Sequence, residues 1–341
     1  QMPYPTLTER RDRLARLARM TKHHQLEIIR AIQTDFGQRS DVEIRIAEIS
    51  AVLHAIRHAR LHLWRWMRPW SVSMPWRLMP ARARIAPQPL GVVGVMSPWN
   101  YPWSLALMPI VDAFAAGNVV MLKPSEHSPA TSALLQRLVP QYFTPEEFKV
   151  VEGDVEVARR FSSLPFDHLV FTGSSAVGRQ VAQAAAANLT PTTLELGGKS
   201  PNIVFADAKD LDHAAKVSAM GIFRNSGQVC VAGSRLLVEA SIHDEFVARI
   251  VEHAEALKVG DPLDLGSQIG AVNSETQLAA NLDHVARAVT EGGDVRCGGG
   301  RILAETGGTY MAPTVVTGVR EQSSLFQREV FGPVLSVTGF D

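Results

Sequence analysis

Gly91-Val-Val-Gly-Val-Met96 runs directly into Ser97-Pro-Trp-Asn100-Tyr-Pro102. A short apolar run without alternation, closed by turn residues, reads as a strand buried on both faces. Pro102 suits the first turn of a helix, where its missing N–H removes nothing. That helix is expected to reach Ala116 and to end at Gly117. Asn118 to Leu122 is the next strand, and Lys123-Pro-Ser-Glu126 is the loop at its carboxyl end. A helix over 131–139, a strand over 148–152 and the strand His168-Leu-Val-Phe171 follow. Gly173-Ser-Ser-Ala-Val-Gly178 then opens an alanine-rich helix to Asn188. Strands alternating with helices predict an α/β fold with a parallel sheet, which binds ligands at the carboxyl ends of its strands.

Toward the C-terminus, Thr192-Thr-Leu-Glu195-Leu-Gly-Gly-Lys-Ser-Pro201 ends a strand on a carboxylate and two glycines. A second α/β run begins at Asn202, with helices expected over 210–224, 244–257 and 275–290 and a strand over 235–239. Within it stands Asn225-Ser-Gly-Gln-Val-Cys230-Val-Ala-Gly233, which puts one of only two cysteines in a glycine-flanked turn of small residues. A thiol nucleophile and a carboxylate base are the groups needed to form a thioester and then hydrolyse it. Cys297, in Arg-Cys-Gly-Gly-Gly, reads as a bystander thiol in a glycine-rich turn. The Gly173 to Gly178 turn could present backbone N–H groups to a phosphate or could serve packing alone, since its middle position is Ser175 rather than glycine.

Toward the N-terminus, Thr6-Leu-Thr-Glu9 has the form of a capping box for a first helix. A second helix is expected from Ser40, with Val42, Ile46, Ile49, Leu53 and Ile56 forming one apolar stripe. His54, His58 and His62 recur every fourth residue; a solvated face among Arg57 and Arg60 is preferred over a metal face, and no metal is expected. The Trp- and Arg-rich segment from Leu63 to Met79 reads as an arm against a neighbouring subunit, in preference to a membrane anchor or a base-stacking platform. Pro80-Ala-Arg-Ala-Arg-Ile-Ala-Pro87 alternates as an exposed edge strand does.

Lys plus Arg and Asp plus Glu both number 34, so no overall field draws the chain to nucleic acid. Its 341 residues suffice for two domains with sizeable cores. Two cysteines make no disulfide framework, which suits a reducing compartment, and no apolar run is long enough to predict a membrane span.

Six stretches stand in a common order. They are Pro98-Trp-Asn100-Tyr-Pro102, Lys123-Pro-Ser-Glu126, Phe171-Thr-Gly-Ser174 with Gly178, Leu194-Glu195-Leu-Gly-Gly-Lys199, Gly227-Gln-Val-Cys230 and Glu329-Val-Phe-Gly-Pro333. Together they resemble the aldehyde dehydrogenase superfamily over essentially the whole chain. The first half is most similar to coniferyl aldehyde dehydrogenases, whereas Ala232-Gly-Ser-Arg235 is closer to the amino-aldehyde and broad-specificity branches.

The resemblance implies a Rossmann-type NAD-binding parallel sheet over 1–196 and an α/β catalytic domain over 197–341, incomplete at the C-terminus as in a fragment. It implies oxidation of an aromatic or aliphatic aldehyde to the carboxylic acid in the cytoplasm, with NAD favoured over NADP, by a homodimer or homotetramer. Cys230 would be the nucleophile, Glu195 the base and the Asn100 amide an oxyanion donor. Lys123 and Glu126 would read the adenosine ribose, with Trp99, Gly173, Ser174, Gly178 and Gly197 also at the cofactor. Glu329 would hold the nicotinamide ribose, with Phe331 beside it. The alternatives are an acylating, coenzyme A-dependent enzyme and a non-catalytic NAD-binding protein.

Overall fold

The computed structural model describes residues 4–37 and 39–341. The chain divides into two compact units, formed by the described residues of Gln1–Asp35 with Asp41–Leu196 and of Phe36–Ser40 with Gly197–Asp341.

The first unit begins with helices α1 (Leu7–His23), α2 (Gln25–Phe36) and α3 (Asp41–Glu43), a π-helical stretch Ile44–Ser50, and α4 (Ala51–Trp66). Thr6 and Glu9 form the reciprocal capping box. α2 is an element additional to those expected, and the apolar stripe expected from Ser40 differs from the one the structure buries. Val42 and Ile46 are 64% and 59% exposed, while Ile44, Ile49, Val52 and Ile56 are buried. A π turn carries an extra residue, so it rotates the face that an α-helical spacing assigns. The rotation also buries Glu48 completely.

Strands β1 (Trp70–Val72) and β2 (Ala83–Ile85) form an antiparallel pair of their own. Trp70, Trp76, Leu78 and Met79 on this arm are exposed. Next come β3 (Val92–Met96), α5 (Ser104–Ala116), β4 (Val119–Lys123), α6 (Pro129–Tyr142), β5 (Phe148–Val150), α7 (Val155–Ser162), β6 (His168–Gly173), α8 (Ser175–Ala186) and β7 (Thr192–Leu196). The sheet order β5-β4-β3-β6-β7 is parallel throughout.

Helices α5 and α6 are bracketed by charges from the N-terminal helices. At the start of α5, the Glu48 carboxylate accepts the N–H groups of Trp103 (3.1 Å) and Ser104 (2.7 Å). At its end, Arg10 donates to the Ala115 carbonyl at 3.0 Å. At the start of α6, Asp35 accepts from Ala130 N (2.7 Å) and Thr131 N (2.8 Å). At its end, Arg16 donates to the Tyr142 carbonyl (2.8 Å) and to both Glu147 oxygens (2.7 Å each). Each anion meets the positive end of a helix and each cation the negative end, where orphan backbone groups need partners. The Arg16 hydrogen bonds hold Glu147 at about 2, against the opposing effect of burial.

The second unit holds β8 (Pro201–Val204), α9 (Leu211–Phe223), β9 (Arg235–Glu239), α10 (His243–Ala256), α11 (Glu275–Thr290), β10 (Asp294–Cys297), β11 (Thr314–Thr317), α12 (Ser324–Gln327) and β12 (Val334–Phe340). Its sheet runs β10-β11-β12-β9-β8, parallel except for β10. Alternate residues enter opposite cores. Leu335 and Val337 join Phe246 and Ile250 on one face, and Val316 and Val334 join Leu278 and Leu325 on the other. Cys297 ends strand β10 and is buried, rather than lying in the turn expected for it. Among the described residues no helix is long and apolar enough to cross a membrane, and no group of three or more His, Cys, Asp or Glu could hold a metal.

Glu48→Ala should lower stability by about 2 kcal/mol, because it leaves two buried N–H groups without a charged acceptor. Glu48→Gln, which keeps one acceptor oxygen, should lose less. Urea unfolding reads both, and an alanine variant with the parental midpoint would remove the capping role.

Candidate active site

In the first unit the strand ends determine which residues meet. Met96 pairs with both Lys123 and Phe171, and Thr172 pairs with Glu195. The carboxyl ends of β3, β4, β6 and β7 therefore line one sheet edge. Trp99 and Asn100 follow β3, Lys123 ends β4, Gly173 ends β6 and Glu195 stands near the end of β7. Asn100 is buried and Glu195 exposed. In the strand order, β3 lies between β4 and β6, so the chain's successive strands leave it on both sides, as at the crevice where α/β sheets take ligands.

The Lys123 ammonium is buried and donates to Glu126 Oε2 at 2.5 Å. Burial works to raise the Glu126 carboxyl, but the Lys123 hydrogen bond, the residue's own backbone N–H and the charges of Lys123 and His127 together outweigh it, so the net shift is downward. Glu126 is thus an anion at the sheet edge, able to accept from a hydroxyl.

Ser174 caps α8, its Oγ accepting the Val177 N–H at 3.3 Å. The hydroxyl is engaged in the cap, and the free backbone N–H groups of the first turn are the donors an anion would meet. Gly178 lies inside α8 rather than at the turn. A Cβ there would stand 2.6 Å from Leu196 Cδ2, so this glycine serves close helix–strand packing.

In the second unit Cys230 sits in a turn, partly exposed and outside any disulfide. The backbone leading to it is strained, with φ of 50° at Asn225, 54° at Ser226 and 71° at Gly227. Left-handed conformation at two successive non-glycine residues persists only where the surroundings hold it. Ser226 Oγ donates to the Gly270 carbonyl at 2.7 Å. Gln228, fully buried, donates to the Asn225 carbonyl (3.0 Å) and accepts the Asn273 N–H (2.8 Å). A Cβ at Gly227 would stand 2.0 Å from the Gly332 carbonyl oxygen, so only glycine allows this approach.

Glu329 accepts the Gly198 N–H at 3.2 Å, and a Cβ at Gly197 would fall 1.8 Å from Glu329 Oε2. The two glycines cradle that carboxylate. Phe331 has φ of 57°, and Gln277 donates to the carbonyls of Val330 (3.1 Å) and Phe331 (3.3 Å).

Lys199 is not among the site residues expected from the sequence. Its Nζ is shut off from solvent and has no hydrogen-bond partner among the described residues. Burial, helped by Arg235 and opposed by Glu329, brings its pKa down to about 7. His284 is lowered by burial and by nearby cations that include Lys199. The glycine pair before Lys199 was the only local sign of close quarters, because desolvation of a side chain leaves no mark in residue spacing.

These two units, each a largely parallel α/β layer with polar groups at strand ends, define an α/β enzyme fold. The aldehyde dehydrogenase family model matches residues 2–341. The chain is 39% identical over 341 residues to a probable coniferyl aldehyde dehydrogenase of Pseudomonas aeruginosa, covering 99% of this chain and 70% of that protein. An indole-3-acetaldehyde dehydrogenase of P. syringae, solved with NAD+ and IAA, superposes with a TM-score of 0.91 at 34% identity, over 99% of this chain and 68% of that one. An aldehyde dehydrogenase from Bacillus cereus, solved with NAD+, gives 0.90 at 28% identity with the same coverages, 99% and 68%. The chain belongs to the aldehyde dehydrogenase family.

A buried amine with a depressed pKa favours the folded state as pH rises, because the unfolded chain binds the extra proton between the two pKa values. For Lys199 that window runs from about 7 up to 10.5. Lys199→Met should therefore raise the melting temperature most at the low end of the window and flatten the pH dependence across it. Thermal melts of both proteins over this range test this, and parallel curves would overturn it.

Proposed function

We propose that this chain oxidises an aldehyde to its carboxylic acid through a thioester on Cys230. The observation that carries the reading is a partly exposed thiol after three consecutive left-handed residues, in a chain of this family. Such strain, held in place by Ser226 and Gln228, is characteristic of a functional loop.

Cys230 as thiolate attacks the carbonyl carbon, forming the C–S bond and moving the π electrons onto oxygen. The Asn100 amide and the Cys230 backbone N–H donate to that oxyanion, and loss of one such donor costs about a hundredfold in rate. A bound NAD would supply the hydride acceptor for this carbon; collapse of the oxyanion with loss of that hydride leaves Cys230 carrying a thioester. Glu195 then removes a proton from water, which attacks the thioester; the C–S bond breaks and the carboxylate departs.

The donor set at the first unit's sheet edge fits NAD. Glu126 offers an anion to a ribose 2′-hydroxyl and repels a 2′-phosphate, which favours NAD over NADP. Lys123 would join Glu126 at the adenosine ribose, Gly173, Ser174 and the start of α8 would serve the pyrophosphate, and Trp99 would contact the cofactor. Gly178 contributes through helix packing. In the second unit Glu329, cradled by Gly197, holds the nicotinamide ribose beside Phe331. On this reading residues 1–196 form the cofactor domain and 197–341 the catalytic domain, with 36–40 grouping with the second unit. The exposed arm that carries Trp70 and Trp76 suits a homodimer or homotetramer, and two free thiols suit the cytoplasm. The relatives point first to aromatic aldehydes such as coniferaldehyde and then to aliphatic ones.

Stopped-flow absorbance of NADH on mixing with NAD and coniferaldehyde, then with a short aliphatic aldehyde, should show a burst approaching one NADH per chain. Cys230→Ala should abolish it, and substantial residual NADH would sink the nucleophile assignment. Glu195→Gln should give the burst and then stall; normal steady-state turnover would remove Glu195 as the base.

A further inference from the structure

Helices α1 and α4 enclose a groove of about 570 Å³ within the first unit. Arg11 and Lys22 line it from α1, and His54, Arg57 and Arg60 line it from α4. Among the described residues no carboxylate lines it, and α4 contains no acidic residue along its whole length. In a chain with 34 basic and 34 acidic residues, this is a local concentration of one sign.

Elsewhere in the unit comparable arginines are paired: Arg13 and Arg16 with Glu147, and Arg137 with Glu27. Among the described residues none of the four Lys and Arg side chains at the groove makes an ion pair. The Nε of Arg11 is closed off from solvent and has no hydrogen-bond partner among the described residues. A buried guanidinium N–H left unpaired is costly, and an anion beside the guanidinium would offset part of that cost. Between the cations the surface is aliphatic, from Ala18 and Leu53, and His54 adds an imidazole ring to the lining.

We infer that this groove binds an aliphatic molecule with an anionic head, carboxylate or phosphate, its head among Arg11, Arg57 and Arg60 and its chain along Ala18 and Leu53. The volume lies in the range of small-molecule sites, and cationic walls on an aliphatic surface match that chemistry. The site uses none of the residues placed in the oxidation.

Isothermal titration of the whole chain with decanoate and with octyl phosphate, below their micelle concentrations, tests this. Each should bind once per chain, and at least one should bind about tenfold or more tighter than inorganic phosphate, because the tail adds apolar burial. Arg57→Ala with Arg60→Ala should weaken binding by about tenfold or more. Ala18→Phe, which fills the groove without changing charge, should abolish it. Arg159→Ala, on the surface of α7, should leave it unchanged. Circular dichroism and urea midpoints confirm that each variant is folded. Equal affinity for inorganic phosphate, binding only to phosphatidic acid vesicles, or indifference to both groove variants would overturn the inference.

Discussion

The fold of the first unit depends on the pairing of helix ends with charges from another layer. α5 and α6 connect the central parallel strands, and a buried parallel sheet gives its crossover helices few polar neighbours. Their orphan N–H and carbonyl groups are met by Glu48, Asp35, Arg10 and Arg16. All four come from the N-terminal helices, which thereby do more than cover the sheet. The π-helical stretch belongs to the same arrangement, since its extra residue places Glu48 at the buried face together with Ile44 and Ile49. The turn that carries Asn100 lies between β3 and α5, so the capped end of that helix helps position it.

The second unit uses a different constraint. Its thiol loop is held by close backbone approach and by strain, with Gly227 against Gly332 and buried Gln228 bridging Asn225 and Asn273. The neighbouring polar cluster of Lys199, Arg235, His284 and Glu329 is only partly satisfied. Departures from full satisfaction are expected where a protein does chemistry, because stability there is traded for reactive or ligand-facing groups.

The order of strands and helices was largely legible from apolar runs and glycine turns. Residues 275–290 were read correctly as a helix, and the strand at 235–239 was bounded correctly, because both have strong periodicity and clear ends. α2 and α7 were passed over: α7 is a short helix, and α2 follows α1 after a single residue. The stripe on the helix from Ser40 failed for a definite reason, since the 3.6-residue period it assumed does not hold in a π segment. Gly178 was read with the phosphate turn, yet its closest neighbour is Leu196, a contact between residues 18 positions apart that no local pattern contains.

By itself the sequence determined the α/β alternation, the places where strands end in polar residues, and the motifs that mark the family. Those properties are local, set by backbone preference and by spacing along the chain. Tertiary structure alone decided which face of the π-containing helix is buried, which carboxylates cap which helices, and that the Lys199 amine is desolvated while the arginines between α1 and α4 stay unpaired. Burial and pairing depend on what other elements bring to the same place, and one-dimensional spacing carries no record of that.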